Sequence, residues 1–160
     1  MMIKKLRIKF IILSMLTLFV LLLVIVVSMN ALNYNAIIAD ADETLSLMAK
    51  NRGVFPDFNG DNRPNHMSPE APYEARYFSV LLGQNGEVLQ TDTGKIKAVN
   101  PQRAIDYATQ IMLKNENRGF VENYRFVCYS EGTGIRITFL DCGRKLDSFH
   151  TFLYISTGIA

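Results

Sequence analysis

The sequence lacks almost everything from which enzymatic or metal chemistry is usually assembled. No G-x-S-x-G, H-E-x-x-H, C-x-x-C or Walker phosphate loop occurs, and Gly132-Thr133-Gly134 is a lone G-x-G that reads as a turn. Histidines and cysteines number two each. Neither His66, in a loop, nor His150 stands beside a recognisable nucleophile or ligand partner. With no nucleophile, base and orienting group to combine, no catalytic residue is assigned, and an exported enzyme is the least favoured class. No cofactor and no metal is expected.

A basic face is missing too. Lys4, Lys5, Arg7 and Lys9 crowd the N-terminus, and the rest of the chain keeps 13 Lys and Arg against 15 Asp and Glu, a balance of −2. The basic isoelectric point of about 8.5 therefore belongs to the first nine residues. Nucleic acid is excluded as a partner, and no acidic or Gln/Ser-rich tail argues for disorder.

Few cysteines also means little scope for disulfides. "ENYRFVCYS" and "GIRITFLDC" read as two strands joined by "EGTG". A hairpin closing on Gly132 and Thr133 sets Cys128 opposite Ile137 and Cys142 opposite Asn123. Five residue pairs at about 3.3 Å separate the two thiols, far beyond the roughly 4.4–6.8 Å between Cα atoms that a disulfide tolerates. Both read as small core residues.

What is abundant is apolar sequence. Phe10 to Met29 runs without a charge, "FIILSMLTLFVLLLVIVVSM", long enough to cross a bilayer as one helix. The run exceeds the h-region of a cleaved signal, and "NALNYN" after it lacks a small-x-small cleavage site, so it reads as an uncleaved anchor. The positive-inside rule keeps the four basic residues in the cytoplasm. Residues 1–9 are thus a cytoplasmic N-terminus, 10–29 a first transmembrane helix, and 30–147 one extracytoplasmic domain. The last thirteen residues, "SFHTFLYISTGIA", carry no formal charge, so 148–160 reads as the incomplete start of a second transmembrane helix.

After the first span, Tyr34, Ile37, Ala41, Leu45 and Met48 recur at three- and four-residue steps, which predicts that the helix continues as a stalk. The stripe suits a parallel helix pair, with Asp40, Asp42 and Glu43 on its watery flanks, and equally suits packing on the protein's own sheet. Asn51 to Gly53 and Pro56 end the helix. Pro56 to Pro72 reads as loop. "ARYFSVLLGQNGEVLQTD" is a hairpin around Asn85 and Gly86, both expected at positive φ. Asn100 caps an amphipathic helix that opens on Pro101 and turns Ala104, Ile105, Ala108, Ile111 and Met112 inward. The order α-ββ-α-ββ predicts an α+β fold, one antiparallel sheet with helices against it.

Two constellations hint at ligands. Asp57, Asn59 and Asp61 match the opening of a calcium loop, but Asn62 stands where glycine is needed and Ser68 where glutamate is, so a solvated loop is the better reading. Arg76 and Tyr77 before the first hairpin, and Tyr124 and Arg125 before the second, bring guanidinium and phenol groups near one sheet. They are the candidate ligand-binding residues, for an anionic or carboxylate ligand, with ordinary surface ion pairing as the alternative.

Read together, S-P-E-x-P-Y-E-x-R-Y-F-S-V from Ser68 to Val80, D-T-G-K-I from Asp92 to Ile96 and F-L-D-C from Phe139 to Cys142 resemble the N-terminal input region of clostridial-type membrane sensor histidine kinases. The resemblance spans nearly the whole chain. It implies a PAS-like extracytoplasmic sensor between two spans, a homodimer formed through the stalk and transmembrane helices, and a small-molecule or envelope signal as input. The kinase's phosphoacceptor motif is absent, and "NHMSPE" around His66 is not that motif, so the resemblance implies the receiving half of such a protein, truncated within its second span. A bitopic, membrane-tethered interaction or assembly protein is the reading from another class.

Overall fold

The computed structural model describes residues 2–56, 58 and 67–158. Asp57, Asn59, Asp61, Asn62 and His66 lie outside them. The chain forms two compact units, one of Met1–Ile37 with Asp147–Ala160 and one of Ile38–Leu146.

In the first unit, the apolar run forms the N-terminal part of α1 (Met2–Lys50), an unbroken helix of 49 residues. Its side chains from Leu6 to Met29 are exposed almost throughout, and mean hydropathy reaches 3.3. Among the described residues, α1 is the one helix long and apolar enough to cross a membrane. Residues 148–157 of the charge-free tail lie on α4 (Gly143–Thr157), whose 15 residues include Arg144, Lys145 and Asp147 and do not reach that standard. The Tyr34 and Phe149 rings meet at 5.6 Å, and His150 is exposed beside Phe149.

The second unit is α+β. Its strands, β1 (Tyr77–Leu82), β2 (Val88–Asp92), β3 (Arg118–Val121), β4 (Tyr124–Glu131) and β5 (Gly134–Asp141), form one antiparallel sheet in the order β2-β1-β5-β4-β3. Against one side lies α3 (Pro101–Lys114). Asn100 caps it by accepting the Arg103 N–H at 2.8 Å, and Asn115 closes it in the left-handed conformation. Ala104, Tyr107, Ala108 and Ile111 face the sheet. There they meet Phe78, Phe126 and Phe139, each fully buried and each contributing about 1.5–3 kcal/mol relative to an exposed ring.

The β4–β5 hairpin has the expected register. Gly132 and Thr133 form the turn, Cys128 faces Ile137, and the Cys142 N–H donates to the Asn123 carbonyl at 2.9 Å. Both cysteines are free.

Other expectations need correction. The order is not α-ββ-α-ββ: a short helix, α2 (Ala71–Glu74), opens inside the stretch read as loop, and β3 precedes the second hairpin. Tyr124 and Arg125 are consequently inside β4, not before it. In the β1–β2 hairpin only Gly86 takes positive φ, at 83°. The Gly83 N–H donates to the Glu87 carbonyl and the Gly86 N–H to that of Gly83, so three residues make the turn and a bulge at Leu89 absorbs the extra residue.

The stalk stripe has a settled use from Ala41 onward. Ala41, Leu45 and Met48 are at most 2% exposed, and Leu45 and Met48 pack with Phe55, Tyr77, Val127 and Leu140 of the same chain. They are not available to meet a second copy.

Burial raises the Cys128 thiol to about 11 and also raises that of Cys142, so both react poorly while folded. Denaturation without reductant should release two alkylatable thiols per chain, counted by mass. A single intramolecular bond would break the observed register.

Candidate functional site

Residues paired across antiparallel strands point to the same side, so the register sorts every side chain of the sheet. The α3-facing side is dry: Phe78, Val80 and Leu82 from β1, Ile137 and Phe139 from β5, and Tyr124 and Phe126 from β4. The other side, toward the end of α1, is apolar only in its middle. Each end of that middle holds an arginine.

At one end, Arg125 donates from Nε and Nη2 to the two oxygens of Asp42 at 2.7 and 2.9 Å, with its side chain 11% exposed. Its guanidinium also lies 4.9 Å over the Phe120 ring, and Arg118 approaches the same carboxylate at 3.9 Å. Two residues earlier, Asp40 pairs with Lys145 of α4. Asp40 is exposed on the helix flank, as expected, whereas Asp42 is half-buried and fastens α1 to β4.

At the other end, Arg136 is 4% exposed. Its Nε and Nη2 donate to the Glu131 carboxylate at 2.5 and 3.0 Å, Nη2 also to Gln90 Oε1 at 2.9 Å, and Nη1 to Ser79 Oγ at 3.3 Å. Thr138 and Tyr129, whose hydroxyls meet at 3.4 Å, stand alongside. Gly53, at φ 79°, closes over the group: a Cβ there would come within 2.8 Å of Arg136 Cδ and 3.1 and 3.2 Å of the Thr138 and Ser79 hydroxyls. Glycine is required both by the conformation and by this approach. The Arg136 guanidinium holds the Glu131 carboxyl below its ordinary value, with Arg52 adding to the pull.

The four candidates read from the sequence are not brought to one cleft. Arg76 and Tyr124 share the α3 side, where Arg76 pairs with Asp141 at 3.4 Å and Tyr124 packs edge-on to Phe78 at 5.3 Å. Burial raises the Tyr124 phenol, and Asp141 adds to it. Tyr77 and Arg125 share the α1 side. There Tyr77 is buried with its hydroxyl accepting the Phe55 N–H at 3.3 Å, and Arg125 holds Asp42. Each is occupied by a partner within the domain.

The residues passed over, Gly53, Glu131 and Arg136, form the denser polar group. One signal for them stood in "GIRITFLD": a charge in phase opposite to Ile135, Ile137 and Phe139 must lie on the second side of the sheet. No family model, curated protein or solved structure matches this chain.

Replacing Asp42 with Asn would leave a desolvated guanidinium without its counter-charge. Denaturant titration should show a loss of about 1.5–3 kcal/mol. Glu131, whose folded value is depressed, adds stability that is present above the ordinary carboxyl value of 4.5 and disappears as pH falls through the folded value. The stability difference between pH 7 and acid should accordingly shrink in Glu131→Gln, measured by the same titration.

Proposed function

We propose that this chain is the signal-input portion of a membrane-bound sensor histidine kinase, with a PAS-like domain at residues 30–147 outside the cell and the N-terminus in the cytoplasm. The observation that carries this reading is the double use of α1. One uninterrupted helix bears the exposed apolar run and, near its other end, Leu45 and Met48 in the core of the domain and Asp42 in a two-pronged ion pair with β4. At the far end of the domain's chain, only Cys142 separates β5 from α4.

A tether needs attachment alone and works through any flexible linker. An input device needs a change in the sheet to reach a membrane helix without slack. Helix shifts of about 1–2 Å suffice for such switches, and a loop of several residues would absorb them. The absence of a linker at both junctions therefore favours input over the bitopic assembly reading. With Ala41, Leu45 and Met48 buried, the homodimer expected of such a kinase would pair through α1 ahead of Ala41. The second membrane helix would begin within α4.

The test is a chimera: the chain placed before the cytoplasmic half of a characterised sensor kinase, with one to four alanines inserted between Asp147 and Ser148. Each insertion turns the following helix by about 100°. Kinase output in membranes should rise and fall with helical phase. Output that stays level across the series would favour the tether.

A further inference from the structure

Arg136, on the central strand of the sheet, is a poor choice for stability. Taking a guanidinium out of water is costly, and a well-packed apolar side chain of similar volume is commonly as stable or better. Its neutral partners, Ser79 and Gln90, are held by strands β1 and β2. The charge, by contrast, is balanced by a residue at the margin. Glu131 is the last residue of β4, beside the turn, with its side chain 25% exposed, so it can swing into water without disturbing a strand interior. The surroundings also offer more hydroxyls than Arg136 uses. Thr138 and Tyr129 bond to each other rather than to the guanidinium. Part of the cover is the Gly53 backbone.

We infer that the Glu131–Arg136 pair fills a receptor site for a small carboxylate ligand, Glu131 occupying the place that the ligand's carboxylate takes. The ligand's two oxygens accept from Nε and Nη2 of Arg136 in the fork geometry Glu131 uses, and a hydroxyl or similar group next to the carboxylate bonds to Ser79, Thr138 or Tyr129. Glu131 then turns outward to solvent. Because Arg52 and Gly53 lie two and three residues beyond the end of α1, exchange at this site acts on the end of that helix. Only this last consequence rests on the sensor reading; the binding itself does not.

Sodium L-lactate, a carboxylate with an adjacent hydroxyl, is a suitable probe, and sodium acetate reproduces the part of Glu131 that Ala removes. Full-length chain in lipid nanodiscs is compared as wild type, Glu131→Ala and Arg136→Met, the last tolerated because it exchanges a buried charge for an apolar chain. Ligand-observed NMR should give Glu131→Ala an L-lactate affinity at least about tenfold above wild type, where Glu131 competes, and Arg136→Met none. Acetate should raise the thermal midpoint of Glu131→Ala more than sodium chloride at equal ionic strength. Should Glu131→Ala not fold, Glu131→Gln provides the same comparison, since its amide lacks the competing charge. Equal L-lactate binding in all variants, binding in none, or an acetate effect no larger than that of chloride overturns the proposal. Kinase output enters none of these measurements, so a failure here leaves the sensor reading standing and a level chimera leaves the site standing.

Discussion

The alternation along β5 is the constraint from which the rest of the domain follows. Ile137 and Phe139 must enter the dry side while Arg136 and Thr138 stay on the other, and a strand has only these two phases. Slipping by one residue would put the guanidinium against Phe78 and Phe126, where nothing can accept its hydrogens, and would turn Phe139 out of the core. Hydrophobic burial and the ion pair thus enforce the same register from opposite sides. β5 has strands on both flanks, so β1 and β4 inherit that phase through their pairing. The separation into a dry core under α3 and a polar second side is the outcome.

What could be read along the chain was whatever depends on neighbours in sequence. The long apolar run, the Asn100-Pro101 cap, the stop at Asn51 to Gly53 and the Gly132-Thr133 turn are each decided within a few residues. The misreadings lie where a local preference was overruled. Asn85-Gly86 suits a two-residue turn, yet the pairing of Leu82 with Val88 demands three. β3 was hidden because Gly119 weakens a strand of four residues and because its turn uses Glu122 at φ 50°, an uncommon choice. The Arg136 group was illegible for a different reason: Ser79, Gln90 and Glu131 come from three other strands, and no spacing rule joins them.

α1 is instructive because the same pattern served two readings. Apolar residues at three- and four-residue steps describe a helix that pairs with a copy and one that lies on a sheet. The deciding information sits elsewhere, in the apolar patch that Tyr77, Val127 and Leu140 offer to Leu45 and Met48. The acids followed the same logic. Asp42 looks like a solvated flank, as Asp40 is, until Arg125 supplies a cation opposite it.

The bulge at Leu89 has a consequence for how copies of this protein tolerate one another. β2 is an edge strand whose outer amides and carbonyls have no strand beyond them among the described residues, and Val88 and Leu89 are 42% and 52% exposed. Such an edge invites a neighbour's edge to join it. An extra residue in the strand breaks the even spacing of hydrogen-bonding groups that a second strand would have to match. Crowding is thereby made compatible with remaining separate sheets.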